Sequence, residues 1–220
     1  PVADGDGASW AQACRDLPAA LDAAEAANDT APEFWIAEGL YEVPAGLHID
    51  FTARPFDQVA IRGGFAGTET SPEQRPPPGA VPPDDIETGT RFQANFSNNT
   101  QLIRTNIPTL VERVTASGFQ SNASGVVVQA SNAALEIREV FAFGVRGALF
   151  GGAVSATSCP AVLIEDSRFK HSTGGSSAGT IGGAVYAAGD TALTVRRSVF
   201  EDCAASYGAQ TDGDGGALYM

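Results

Sequence analysis

The chain is poor in charge and poorer still in lysine. Of its 220 residues 18% are charged, and Lys170 is the lone lysine beside twelve arginines, a bias of composition more than of chemistry. Thirteen basic residues against 26 acidic ones leave a net charge of −13. That field repels nucleic acid, anionic lipid and polyanionic glycans within a Debye length, so nucleic acid is not an expected partner. The three cysteines, Cys14, Cys159 and Cys203, form no CxxC pair and permit at most one internal disulfide. They sit at different points of the pattern described below, so spacing pairs none of them, and free thiols are the expectation. No apolar run approaches the roughly 18 residues of a membrane span. Phosphate-binding, nucleophile-elbow and zinc spacings are missing too. The chain begins at Pro1 without a signal-like apolar region, as a processed product or fragment would.

What is abundant is glycine, 25 residues, and an internal repeat. VERVTASG from Val111, IREVFAFG from Ile137, IEDSRFKHS from Ile164 and VRRSVFEDC from Val195 resemble one another, with anchors 26, 27 and 31 residues apart. A second phrase alternates with them: SGVVV at Ser124, GGAV at Gly151, GGAV at Gly182 and GGAL at Gly215. Each anchor is β-branched. Three residues on come Val114, Val140, Ser167 and Ser198, and five residues on come Ala116, Ala142, Phe169 and Phe200. Between them lie two adjacent polar residues, which a strictly alternating strand forbids. A short strand, a corner and a second short strand fit that pattern. With a period of this length they predict a parallel β-solenoid, whose coils stack like on like. The paired glycines suit sharp turns into buried strands. Helical repeats fail on propensity, given the glycines and β-branched residues.

The polar pairs predict charge ladders. The first position reads Glu112, Arg138, Glu165, Arg196 and predicts vertical pairing between coils about 4.8 Å apart. The second reads Arg113, Glu139, Asp166, Arg197 and contains one like-charged neighbour pair.

Residues 1–70 do not repeat the phrases; they are assigned a cap helix and the first rungs. Asp16 is the expected N-cap, with Pro18 in the first turn and Leu17, Leu21 and Ala24 on one face. Such a helix covers an apolar solenoid end. EFWIAEGLYEV reads as one strand with Phe34, Ile36 and Leu40 inward, and QVAIRGGFAGTET as a second entering a glycine turn. His48 has a plain strand context. Residues 71–90 hold six prolines and read as an inserted loop. Residues 91–220 are assigned the coils, all in one continuous domain. The last phrase, GGALYM, opens another strand with Ala217 or Leu218 toward the core. The expectation is an uncapped end covered by further coils of a longer chain.

DGASWAQACRDLPAALDAA, FWIAEGLYEVP and IRGGFAGTETSPEQR together resemble the N-terminal portion of bacterial secreted right-handed parallel β-helix proteins of the pectin-lyase-like superfamily. The matching residues are Trp10, Leu17, Leu21, Trp35, Gly39, Tyr41, Gly63, Gly64, Phe65, Gly67, Glu69, Gln74 and Arg75. The coils also resemble polymorphic outer-membrane protein repeats. Phe96–Asn99 and Phe119–Asn122 match their second phrase, whereas Phe169–Ser172 and Phe200–Cys203 depart from it. The resemblance implies an all-β right-handed parallel β-helix with an N-terminal capping α-helix, secreted or on a bacterial cell surface.

Chemistry is sparse. A non-catalytic scaffold, adhesin- or passenger-like or contacting glycan or a surface partner, is the leading expectation. The alternative is a polysaccharide lyase whose site lies mainly beyond residue 220. Its candidates here are Arg168 or Lys170 as base, His171 as helper, and Arg197. Asp212 and Asp214 in TDGDGG offer oxygen ligands to a possible Ca²⁺; the same residues also suit a plain polar turn. From anchor to glycine phrase the spacing grows from 14 to 14, 18 and 20 residues. Loops lengthening on one side build a wall, and Tyr207, Gln210, Asp212 and Asp214 are the binding candidates there.

Overall fold

The computed structural model describes residues 7–14, 16–44, 49–75, 89–96, 100–122, 124–175, 182–205 and 216–220. His48 and the binding candidates at 207–214 lie outside them. The one α-helix among the described residues, Leu17–Ala26, is set by its first turn. The Asp16 carboxylate accepts the Ala19 N–H at 2.9 Å, and proline occupies that turn. Leu21 is buried, and Leu17, Ala20 and Ala24 pack against the same core. Among the described residues no helix is long and apolar enough to cross a membrane.

Behind the helix the chain winds into a parallel β-solenoid. Among the described residues it forms three six-stranded parallel sheets and one of three strands. The first sheet stacks Glu33–Ala37, Val59–Phe65, Thr109–Glu112, Leu135–Arg138, Val162–Glu165 and Leu193–Arg196. Its register places Phe34, Ile61, Val111, Ile137, Ile164 and Val195 in one inward column. All but Val195 are buried. The N-terminal third therefore contributes rungs in register with the later coils. They escape a search for phrases because 50 residues separate Ile61 from Val111, and because Gly63 replaces the second polar residue after Ile61.

The second sheet stacks Gly39–Glu42, Thr90–Gln93, Val114–Ser117, Phe141–Phe143, Arg168–Lys170 and Val199–Glu201. One left-handed residue makes the corner with the first sheet in each later coil: Arg113, Glu139, Asp166 and Arg197, at φ of 54°, 53°, 50° and 45°. The adjacent polar pair is thus an outward strand residue followed by a left-handed corner. The corner restores the inward direction for the residue that follows. Val114, Val140 and Ser167 are buried there, as are Ala116, Ala142 and Phe169 two positions later. Phe169 and Phe200 stack with ring centroids 5.0 Å apart.

The same rule corrects the reading of Leu40. EFWIAEGLYEV is two strands, Glu33–Ala37 and Gly39–Glu42, in different sheets. The break at Glu38 reverses the alternation. Leu40 is 46% exposed, while Tyr41 packs on Phe92 and donates its hydroxyl to Ala37 O at 3.0 Å.

The third sheet stacks Ile49–Asp50, Ile103–Thr105, Val128–Ser131, Val154–Thr157, Val185–Ala188 and Leu218–Tyr219. The glycine phrases lead into it. The first glycine of the pair is left-handed, as at Gly151 and Gly182. The second permits close packing: a Cβ on Gly183 would sit 2.1 Å from Gly216 O. Leu218 continues the inward column of Val185 and is 38% exposed.

Candidate functional site

The lyase candidates divide between two places. Arg168 and Lys170 project from the outer face of the second sheet, and His171 follows at a left-handed turn, φ 51°. Glu201 of the next coil holds both cations, with Arg168 Nη2 at 2.6 Å and Lys170 Nζ at 3.6 Å. His171 Nδ1 lies 3.6 Å from Asp202, and its ring meets Phe143 edge-on. Arg197 stands apart at the corner with the first sheet. It makes a bidentate pair with Asp166, both bonds 2.7 Å, and a contact to Glu165 at 3.0 Å. The Asp166 hydrogen bonds raise the guanidinium pKa further, while Arg197 in turn holds the Asp166 carboxyl below its ordinary range. A lyase base must surrender a proton before it can take one. Arg197 is bound in the opposite sense.

The charge columns pair differently from the expectation of simple vertical ladders. Arg113 meets Glu139 at 2.8 Å, as stacked corners should. In the neighbouring strand column Glu112 pairs vertically with Arg62 of the preceding rung at 2.8 Å instead of with Arg138, and also takes Arg75 at 2.9 Å, while Arg138 closes on Glu136 of its own strand. A groove of ≈ 240 Å³ outside the first sheet is floored by Ala60 and Leu110 and edged by Glu33, Arg62 and Glu136. Its charged groups are likewise engaged, Glu33 with Arg62 and Glu136 with Arg138.

Asp212 and Asp214, the calcium candidates, lie outside the described residues with Tyr207 and Gln210. Among the described residues no three His, Cys, Asp or Glu side chains gather to hold a metal. Cys14, Cys159 and Cys203 are free thiols.

The residues that carry the sequence resemblance converge on one structural lock. The Glu69 carboxylate accepts the N–H groups of Ala66, Gly67 and Thr68 at 2.7 to 2.9 Å. These backbone bonds, led by Ala66, hold its pKa below the ordinary carboxylate range. Trp10 Nε1 donates to Glu69 O at 2.8 Å. Trp35 stacks on Phe65 at 4.9 Å, and the Arg75 guanidinium lies 5.0 Å over the same ring. Arg75 also donates to Pro72 O and Gly63 O. Trp10, Glu69 and Arg75 thus find their polar partners within the chain.

A different surface was not singled out from sequence. On the third sheet the outward column runs Arg104, Gln129, Ser155, Tyr186, Tyr219. Phe150, Tyr186 and Tyr219 form a half-buried aromatic stack along the solenoid axis, with centroids 4.8 and 5.5 Å apart and planes 22° and 11° apart. Beside it run Ser131, Thr157 and Ala188, in register. The signal was present: tyrosine follows the glycine phrase in both GGAVY and GGALY. The two lengthened loops lead directly into these strands.

Compared with known proteins, the chain matches no family model, no curated protein and no solved structure.

Proposed function

We propose that the chain is a non-catalytic β-solenoid segment of a secreted or cell-surface protein, a scaffold that contacts glycan. The carrying observation is that the Glu201 carboxylate engages both Arg168 and Lys170. Ion pairs to carboxylates of adjacent coils give Arg168, Lys170 and Arg197 a structural use, which favours the scaffold reading. The glycan part of the reading draws on the third sheet, where half-exposed aromatic rings stand among hydroxyl and amide side chains. The resemblance of residues 7–75 to secreted bacterial β-helix proteins supports a surface or extracellular location.

The test is a polysaccharide panel followed by the ultraviolet absorbance of unsaturated uronate. No product is expected from any polymer. Product formation that is lost in Lys170→Ala overturns the non-catalytic reading.

A further inference from the structure

The three long faces of the solenoid differ in charge. Outward positions of the first sheet are dominated by Glu33, Arg62, Glu112, Glu136, Arg138 and Glu165. Those of the second include Glu42, Arg91, Arg168, Lys170 and Glu201. On the third, Asp50 and Arg104 face each other at 3.9 Å in the first two rungs. From the third rung onward the outward positions are Gln129 and Ser131, then Ser155 and Thr157, then Tyr186 and Ala188, then Tyr219. None carries a charge. In a chain of net charge −13 this is a neutral lane four rungs long, walled by stacked aromatic rings and floored by small side chains.

We infer that this lane binds a neutral polysaccharide lying along the solenoid axis; the inference rests on the glycan-contact reading above. Charge excludes the polyanionic class. The lane has no cation to meet a uronate or sulfate, and the surrounding acidic field repels both. The remaining groups suit a pyranose ring. Tyr186, Tyr219, Ser131 and Thr157 supply hydroxyls that both donate and accept, Gln129 an amide, and Phe150 an apolar edge for sugar C–H groups. The direction follows from period. Uncharged side chains recur at each rung, about 4.8 Å apart. That is close to the length one sugar unit spans in an extended β-linked chain. A polymer along the axis therefore meets an uncharged side chain at every unit, whereas one lying across the strands leaves the lane for the charged faces beside it.

The experiment uses the full chain on immobilised and soluble β-linked glucan, mannan and xylan, with polygalacturonate as the anionic comparison. Retention of at least one neutral polymer and none of polygalacturonate is expected. Thr157→Arg puts a long cation into the lane at an exposed position. Tyr186→Ala removes the middle ring. Each is expected to weaken neutral-polymer binding about tenfold. Thr194→Arg, the same change in kind on the outer face of the first sheet, is expected to leave binding unchanged. Thermal melts of the variants check that they fold. If neutral polymer binds Thr157→Arg and Tyr186→Ala as tightly as the parent, the lane is not the site, and the glycan reading survives. Preferential binding of polygalacturonate overturns the neutral class alone. Failure to bind any polymer overturns both the lane and the reading beneath it.

Discussion

The hydroxyl of Ser167 accepts the backbone N–H of Val140, one coil away, at 3.1 Å and donates to Glu165 O at 2.8 Å. Ser198 repeats the motif, accepting the Ser167 N–H at 3.2 Å and donating to Arg196 O at 2.9 Å. The cause is the left-handed corner just before each of these residues. It turns the following N–H away from the regular ladder, and a serine in the next coil supplies the missing acceptor.

Ser167→Ala is therefore expected to destabilise the chain by about 1–3 kcal/mol, the cost of a buried unsatisfied donor. Ser167→Val is expected to lose a similar amount. Its side chain matches Val114 and Val140 in the same column but offers the N–H nothing. Ser198→Ala, in a less buried coil, should cost less. Urea denaturation of the three variants checks the order. Equal stability of parent and Ser167→Ala would show that the corner N–H finds another partner.

Two glycines at the same phrase position separate cleanly by substitution. Gly183→Ala would place its Cβ 2.1 Å from Gly216 O, a backbone atom that cannot move without breaking the stack. Loss of the folded state at ambient temperature is expected. Gly216 has no atom within 4 Å of its ideal Cβ and carries no positive φ. Gly216→Ala is expected to be neutral, or stabilising by about 0.4–1 kcal/mol through the unfolded chain. Circular dichroism melts distinguish the pair.

The inward columns were legible in the sequence because packing restricts them coil after coil. Val111, Ile137, Ile164 and Val195 must each present a β-branched side chain to the same stack. The helix was legible for a local reason, an Asp16 cap ahead of a proline and a leucine face. Leu40 was misread because a single-residue corner changes which alternate positions face inward, and a strand pattern carries no mark of where one sheet ends. Ser167 and Ser198 read simply as small residues; their hydrogen bonds depend on a corner one coil away. The aromatic lane escaped for the opposite reason to the anchors. Its outward column repeats no residue type: Gln129, Ser155, which is itself buried, and Tyr186 stack in register without sharing chemistry.

Glu69 makes the N-terminal lock sensitive to acid. Its pKa is depressed in the folded chain by the N–H groups of Ala66, Gly67 and Thr68, against about 4.3 when unfolded. A depressed carboxyl contributes its full stabilisation above the unfolded value and loses it as pH falls through the folded one. Glu69→Gln should therefore lower the urea midpoint at neutral pH, and the gap to the parent should close below about pH 4. Trp10 donates to the Glu69 carbonyl, so tryptophan fluorescence is a suitable local probe. A gap independent of pH would assign the effect to shape instead of charge.

The three thiols test the depth of the core. Cys159 is fully buried, with its Sγ 3.6 Å from Thr157 O. Cys203 is half-buried, facing Phe169 O and Glu201 O at 3.4 and 3.3 Å, and burial raises its pKa. Cys14 is partly exposed. Because the thiolate is the nucleophile, a raised pKa slows labelling at neutral pH and steepens its rise with alkali. With an aromatic disulfide reagent, Cys14 should react first. Cys203 should follow slowly and accelerate as pH rises, and Cys159 should react only as fast as the chain unfolds. Peptide mass mapping of the labelled sites reads the order. Labelling of Cys159 before Cys203 in the folded chain would contradict the burial of Cys159 in the core.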